Sequence, residues 1–430
     1  MNNYDLIILG GGPGGYNAAF RAAELGKKVA IVDDNNLGGV CLNWGCIPTK
    51  SLLKNAEVMD LINTSESYGI SVKDIAVDFE SILSKSVQAR QRLSKGLHHQ
   101  VKKHNIDFHA GFGTFTDKNT ITVNDTTITA EKFIIATGSK PKTLPNLNAS
   151  EVVYAKDIFQ MKSIPKSITI IGAGAIGVEF AYFFNSFGTN VTLIEAEDTI
   201  LPHEDKEVSQ WVEKVFKKKK INVLTGTLAD NIDDEKVLIS VGVEGNSTGM
   251  GLKGLGLEFS DNNHIAVNEH GKTNIDNIYA VGDVIGAPWL AHVSAAEGLY
   301  VAEHLCGLNP KQIDYNSIPA CTYSKPEVAS IGATEQTLVD SNIEFKVAKS
   351  FFISNGKAVA VGSTDGFIKI LVGTKGDILG AHIVGSNATE MISELSIIKT
   401  NNLTIENIFN SVHPHPTFSE AIFETLLQLK

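Results

Sequence analysis

Apolar runs, glycine turns and small-residue helices follow one another near the start of the chain in a strand–turn–helix–strand order. Leu6 to Leu9 is a continuous apolar run, as a strand buried on both faces should be. It leads into Gly10-x-Gly12-x-x-Gly15, then a helix rich in small residues (Ala18, Ala19, Ala22, Ala23) that closes at Gly26. A second apolar run, Val29 to Val32, ends in Asp33. The same unit recurs further on. Ile168 to Ile171 reads as a strand, Gly172-x-Gly174-x-x-Gly177 as the turn, and Val191 to Ile194 as a strand ending in Glu195. The distance from last glycine to acid is the same in both copies, and each copy closes on an apolar strand and a glycine, Phe133 to Gly138 and Val237 to Gly242. Such glycines let a backbone approach a pyrophosphate at a helix N-terminus, while the acid receives a ribose hydroxyl. A lone motif of this kind is weak evidence, but strand, helix and acid in the right order make it specific. Two units predict two dinucleotides.

Elsewhere the periodicity changes. Residues 51 to 104 carry helical patterning, and basic clusters such as Lys95, Lys102 and Lys103 read as a solvated helix face. Gly113 to Thr129 alternates and is rich in turns. From about Ile313 the pattern is again alternating: Phe351-Phe352, Ala358 to Val361, Phe367 to Val372 and Ile378 to Val384 read as strands, followed by helices at roughly Glu390 to Thr400 and Ser419 to Leu429.

Composition narrows the class without naming a function. The 430 residues suffice for two to four domains, and 43% apolar with 20% charged residues is ordinary for a globular protein. A net charge of −11 argues against nucleic acid as a partner. The strand pattern beginning at Tyr4 leaves no room for a signal peptide, and the most apolar run, Ile168 to Phe184, is interrupted by Gly172, Gly174, Gly177 and Glu179, so no membrane span is expected. Four cysteines point to a reducing compartment, bacterial cytoplasm or, for a processed eukaryotic chain, the mitochondrial matrix.

Two of those cysteines carry the candidate chemistry. Cys41 and Cys46 sit among glycines and ahead of Pro48, which suits the first turn of a helix, where a thiolate is stabilised. A disulfide closing so short a loop constrains the unfolded chain little, so stability is not its purpose. Buried core cysteines or half of a zinc site are the alternatives, but Cys306 and Cys321 form no close-spaced second pair, and no metal site is expected. A redox pair is the better reading. Near the other end, Pro414 and Pro416 bias His413 and His415 toward extended geometry on an irregular loop. Thr417-x-x-Glu420 reads equally as a capping box opening the last helix, and spacing alone does not bring His415 to Cys41.

The stretch Gly38 to Lys50 closely resembles the redox motif of the flavin disulfide reductases, the class I pyridine nucleotide-disulfide oxidoreductases, in its dihydrolipoyl dehydrogenase version. Both cysteines, Gly45, Pro48 and Lys50 fall in register. Residues Thr273 to Asp283 resemble the family's second flavin motif, and His413 to Glu420 its catalytic tail, with Pro414 where alanine is usual. The resemblance implies an α/β fold of two Rossmann-like FAD- and NAD(P)-binding domains plus a C-terminal α+β dimerisation domain. It divides the chain into residues 1–145 with 270–312 for FAD, 146–269 for NAD, and 313–430 for dimerisation. FAD would be held by Gly10, Gly12, Gly15, Asp33, Gly39, Lys50, Gly113, Thr137, Gly138, Ser139, Asp283, Leu290, Ala291 and His292. The second dinucleotide would be held by Gly172, Gly174, Gly177, Glu195 and Gly242. Ala196, Glu197 and Asp198 follow Glu195, where NADP would want an arginine, so NAD is expected. The family also has a β-meander before the closing strand of its second domain. Thr227 to Glu235 is too short and too acidic to make one, so that domain is read as trimmed near 227–236.

The implied reaction is oxidation of dihydrolipoyl groups of 2-oxoacid dehydrogenase complexes by NAD. Cys41 is the interchange sulfur and Cys46 the sulfur against the flavin. His415 is the base, oriented by Glu420 and completing the other subunit's site, and Lys50, paired with Glu179, is the cation near the flavin ring. Partners would be a second copy of the chain, lipoyl domains and the acyltransferase core. The alternatives are a sister disulfide reductase, or a flavin-bound assembly subunit with an impaired NAD site.

Overall fold

The computed structural model describes residues 2–34, 37–145, 147–149, 151–232 and 234–430. The chain forms two compact units: Met1–Ser51 with Glu80–Lys142 and Gly242–Ile313, and Leu52–Phe79 with Thr143–Val241 and Asp314–Lys430.

In the first unit, four parallel strands run in the order Asp107–Ala110, Val29–Asp33, Asn2–Leu9, Thr126–Ile135, with Ile278–Ala280 also parallel to the last of them. Thr120–Val123 and Gly113–Asp117 extend the sheet antiparallel, which makes the turn-rich stretch after Gly113 a meander. The continuous apolar run of the first strand has the expected cause. Ile7 and Leu9 pack into one cluster with Phe115, Ile121 and Phe133, while Leu6 and Ile8 pack into another with Ala18, Ala19 and Ala22 of the helix Pro13–Glu24. Residues 242–269 also belong here, whereas the sequence had assigned them to the second domain. Val243–Gly245 pairs antiparallel with Ser139–Pro141, and Met250, Leu252, Leu257 and Ile265 bury against the first sheet. Their hydrophobic burial decides the boundary.

The second unit contains a parallel sheet in the order Asn222–Leu224, Asn190–Ile194, Ser167–Ile171, Lys236–Ile239, Val152–Val153. No antiparallel meander accompanies it among the described residues. Among the described residues between Leu224 and Lys236 the only strand is Asn231–Ile232, parallel to Asn148–Ala149. Asp233, inside the stretch read as trimmed, and Asn146, at the expected domain boundary, lie outside the described residues. Paired across three strands, Thr169, Thr192 and Asn222 point to one face, joined by Ser167 and Asn190, where the equivalent face of the first sheet is apolar. Thr169 is hydrogen-bonded to Asp234. Thr169 is buried, Ser167 and Thr192 are half-buried, and Asn190 and Asn222 are exposed, so hydroxyl and amide side chains stand where water reaches this face.

The same unit holds an antiparallel sheet in the order Pro319–Thr322, Val328–Gly332, Ile378–Gly385, Gly366–Gly373, Phe345–Phe351, with helices Ala388–Thr400 and Glu420–Leu426 sharing its core. One expected strand is a helix: Ala358 lies in Gly356–Ala360, because the buried Asn355 side chain accepts the Ala358 N–H (3.0 Å) and caps it. Lys369, 1% exposed, is surrounded by the carboxylates of Asp205 (2.9 Å to both oxygens), Glu207 (2.9 Å) and Glu335. Asp205 also caps the helix Lys206–Lys218 through the Glu207 N–H (3.0 Å).

Beside this cluster the Glu204 carboxyl accepts the Ser330 hydroxyl (3.0 Å), and its other oxygen is buried with no partner among the described residues. Burial pushes its pKa up from 4.5 to about 7. A carboxyl that holds its proton more tightly folded than unfolded favours the fold below about pH 4.5 and loses that contribution as pH rises through 7. Glu204→Gln should therefore leave the melting temperature nearly unchanged at pH 5 and raise it at pH 8, by up to about 3 kcal/mol of stability. Thermal melts at the two pH values check this.

Candidate active site

The cysteine segment is shaped by glycine. Gly39 has φ +58, and a Cβ there would lie 2.7 Å from the Gly12 Cα, so only glycine lets this segment close on the first glycine turn. The Gly38 N–H donates to the Gly11 carbonyl (2.7 Å). Cys41 sits inside the single-turn helix Gly39–Asn43, whose end is held by the buried Asn43 amide donating to the Gly39 carbonyl (3.0 Å). Cys46 is the first residue of the long helix Cys46–Asn63, and Pro48 is its third. The electropositive helix end thus belongs to Cys46 and not to the pair as a whole, which corrects the expectation from spacing. The side chains of the two cysteines hydrogen-bond to each other. That bond, and then burial, push the Cys41 thiol up, with the Lys50 ammonium opposing.

Tyr16 is a residue the sequence did not single out. Burial raises its hydroxyl pKa, and the charges of Cys41 and Cys46 add to the rise, so the pair acts on it electrostatically. Following Gly14 and Gly15, it reads in the sequence as an ordinary helix position.

Around this pair lies a dinucleotide cradle. Gly12 caps the helix Pro13–Glu24 without any side-chain bond, leaving the first N–H groups open to a phosphate. A Cβ on Gly15 would fall onto the Gly10 carbonyl, so the third glycine is needed for the helix to pack on its strand. Asp33 accepts the Gly11 N–H (2.5 Å) at the end of its strand. Thr137 donates its hydroxyl to the Asn246 carbonyl (2.7 Å), Gly138 follows, and Ser139 donates to Asp283 Oδ2 (2.9 Å). Burial raises the Asp283 pKa against the Ser139 and Ser294 hydroxyls that lower it. The Gly282 N–H is held by the buried Glu297 (2.6 Å), a support the sequence reading also missed. Leu290 caps the helix Ala291–Leu305, placing Ala291 and His292 in its first turn, and Gly113 opens a strand against Val32 and Leu9. Open helix end, close-approach glycines, strand-end acid and a shielded aspartate fit a flavin dinucleotide.

The second unit repeats the plan. Gly174 caps Ala175–Ser186 with no side-chain bond, and a Cβ on Gly177 would fall onto the Gly172 carbonyl. Glu195 accepts the Ala173 N–H (2.6 Å), the counterpart of Asp33 on Gly11, and its other oxygen takes the Glu197 N–H (3.1 Å). Glu179 is buried on the same helix and accepts the Tyr323 N–H (3.0 Å). Gly242, expected here, belongs to the first unit, where its carbonyl takes the Lys142 N–H (3.1 Å). Lys50 also lies in the first unit, and Glu179 in the second.

In the C-terminal loop, His415 Nδ1 lies 3.0 Å from Glu420 Oε1, and Glu420 Oε2 accepts the Thr417 N–H (2.8 Å). The Thr417 backbone bond and then the His415 bond hold the Glu420 carboxyl below its ordinary range. The expected capping box is half made: the Thr417 hydroxyl donates instead to the Pro414 carbonyl (2.8 Å), and Ser419 is the cap residue. The His415 ring is 76% exposed, with Gly356 the glycine facing its Cε1. An oriented, exposed imidazole can exchange protons with a substrate.

Residues 4–298 match the family described as pyridine nucleotide-disulphide oxidoreductase, and residues 318–426 match that family's dimerisation domain. The chain belongs to this family, an α/β flavoprotein oxidoreductase class whose dihydrolipoyl dehydrogenases use FAD and NAD. It is 39% identical to the dihydrolipoyl dehydrogenase of Zymomonas mobilis (99% of this chain, 98% of the relative) and 40% identical to that of Corynebacterium glutamicum (98% and 97%). The enzyme of that name from Bacillus subtilis is 39% identical (99% and 97%). These alignments run over 455 to 462 positions against 430 residues here, so this chain lacks internal residues that its relatives have. The fold is shared with LpdA from Mycobacterium tuberculosis (TM-score 0.93, 22% identity, both chains fully covered). It is shared too with the HOCl-induced flavoprotein disulfide reductase RclA from Escherichia coli in its Cu(II) complex (TM-score 0.91, 24% identity, both chains fully covered). Among the described residues no helix is long and apolar enough to cross a membrane.

Proposed function

We propose that this chain oxidises dihydrolipoyl groups of 2-oxoacid dehydrogenase complexes with reduction of NAD, through a redox disulfide between Cys41 and Cys46. The observation that carries the reading is the side-chain bond between these cysteines within a flavin-type cradle, Cys46 starting a long helix and Cys41 lying in the short helix just before it. In the working cycle His415, oriented by Glu420, takes a proton from a dihydrolipoyl thiol. The resulting thiolate attacks Cys41, forming a mixed disulfide as the Cys41–Cys46 bond breaks and Cys46 leaves as thiolate. The second dihydrolipoyl sulfur then displaces Cys41, its proton passing to the departing Cys41 sulfur. The lipoyl group departs as a disulfide, two electrons poorer, and the enzyme holds Cys41 as thiol and Cys46 as thiolate. FAD, held by the first cradle at Gly10, Gly12, Gly15, Asp33 and Asp283, would supply a two-electron carrier between the cysteine pair and an NAD⁺ held at Gly172, Gly174, Gly177 and Glu195. Lys50, whose charge acts on Cys41, would supply a cation to the flavin ring. A homodimer brings His415 of one copy to the cysteines of the other. The substrate arrives on lipoyl domains around the acyltransferase core, in the bacterial cytoplasm.

NADH formation from dihydrolipoamide by the purified flavoprotein tests this, with NADP⁺ as control. Turnover with NAD⁺ alone is expected. Flavin that dihydrolipoamide reduces but NAD⁺ fails to reoxidise would place a defect in the trimmed module, near residues 227–236. No flavin reduction at all would overturn the reading.

Glu195 gives a separate prediction. Its carboxylate holds two backbone N–H groups at the second glycine turn and stands where the ribose hydroxyls of NAD would lie. Glu195→Ala should weaken NADH binding about ten- to a hundredfold, as loss of charged hydrogen bonds does, with FAD content unchanged. Titration of NADH fluorescence measures the first and flavin absorbance the second. Equal losses of both would undo the assignment of two separate dinucleotide sites.

A further inference from the structure

The loop between the helices Ile405–Phe409 and Glu420–Leu426 presents His415 with little support of its own. Val412, Pro414, His415 and Pro416 are all exposed. On the C-terminal side of His415 the loop is tied down by Glu420, by the Asn355 amide donating to the Thr417 carbonyl (3.1 Å), and by Phe418, which is buried against Phe352. On the N-terminal side one side chain turns inward. His413 is 10% exposed, its ring lies on Phe423 with ring centres 5.7 Å apart, and its Nε2 is 2.8 Å from Glu394 Oε1 on the helix Ala388–Thr400. Its Nδ1 is buried with no partner among the described residues, so Glu394 is the polar tether of this ring. Each histidine of the His-Pro-His stretch thus has a carboxylate from a different flanking helix, Glu394 for His413 and Glu420 for His415.

We propose that Glu394 is a positioning residue for the proton transfer by His415: acting through His413, it fixes the N-terminal side of the loop that carries the base. The inference rests on the reading of His415 as that base. A largely buried, charge-assisted hydrogen bond is stronger than the same bond in water, and it sets direction as well as distance. The loop has exposed residues on both sides of His413, so loss of this bond frees His415 to move. A displacement of about 1 Å at a reacting group can cost about a hundredfold in rate.

The test compares Glu394→Ala, Glu394→Gln and His413→Phe with His415→Gln, all as FAD-loaded enzymes. The readouts are the rate at which dihydrolipoamide reduces the bound flavin and the rate at which NADH does. Glu394→Ala should slow the dihydrolipoamide reaction at least about tenfold and leave the NADH reaction and the KM for NAD⁺ unchanged. Glu394→Gln retains an acceptor for the His413 N–H and should recover most of the rate. His413→Phe keeps a ring on Phe423 and deletes only the bond. It should match the alanine variant, and the double variant Glu394→Ala with His413→Phe should lose no more than either alone. If Glu394→Ala does not fold, His413→Phe decides by the same rate. A normal rate in Glu394→Ala or His413→Phe beside a slow His415→Gln overturns the proposal and leaves the base in place, as does a glutamine variant as slow as alanine. A normal rate in His415→Gln removes the base reading itself.

Discussion

Cys41→Ser is expected to abolish turnover of dihydrolipoamide while the protein stays yellow and folded. Cys41 is half-buried in a single-turn helix and makes its bond to Cys46, so a hydroxyl of similar size disturbs little packing. The chemistry is another matter. A serine oxygen forms no disulfide with Cys46, so there is no bond for the incoming thiolate to break and nothing to accept the electron pair. Loss of a nucleophile in a hydrolase costs about a millionfold, and a fall here of at least about a thousandfold is expected. Flavin absorbance checks that FAD remains, and NADH should still reduce it, because that step uses the second module. The variant also separates the two sulfurs. Cys46, at the start of an 18-residue helix, is then the one thiol of the pair, so a pH titration of thiolate absorbance at low ionic strength should follow Cys46 alone. Retained lipoyl turnover would remove the redox assignment altogether.

Much of this was legible in sequence because the motifs are local. A glycine turn, the strand before it, the helix after it and the acid at the next strand end lie within some thirty residues, and short-range backbone geometry fixes them. Both copies fold as strand, glycine turn, helix and strand, and the structure adds a bond the sequence did not announce, Asp33 on the Gly11 N–H and Glu195 on the Ala173 N–H. What failed to show is what depends on distant partners. Met250, Leu252, Leu257 and Ile265 look like the continuation of the second module, and only their burial under the first sheet shows otherwise. Ala358 to Val361 is a short apolar run of the kind periodicity does not resolve, and a side-chain cap from Asn355 settles it as helix. Nothing near His413 in sequence announces Glu394, and nothing after Gly15 marks Tyr16 as a residue on which the cysteines act electrostatically. Thr417 and Glu420 had two readings, cap or orienting acid. The structure uses one oxygen of Glu420 for each, on the Thr417 N–H and on His415.

Replacement of His415 by glutamine should slow reduction of the enzyme by dihydrolipoamide at least about a hundredfold, the scale of a lost general base. The side chain is largely exposed and joins no hydrophobic core, so the loss should come without a change in melting temperature or FAD content. Its partner makes the prediction sharper. Glu420 stays ionised well into acid because the Thr417 N–H and His415 both favour its charge, so across the working pH range it holds the imidazole Nδ1 and leaves Nε2 for the substrate. Glutamine in place of the histidine has no comparable basicity. The thiol must then ionise unaided, and since a free thiol titrates near pH 8.5, the deficit should shrink as pH rises from 7 toward 9. Wild-type enzyme should gain far less over the same range. Rapid mixing of dihydrolipoamide with the oxidised enzyme, followed at the flavin band, gives both rates, and the NADH reaction serves as the control that should not change. A deficit that stays constant with pH would point to lost positioning instead of lost proton transfer, and a near-normal rate at pH 7 would return His415 to an exposed loop residue whose glutamate merely opens the last helix.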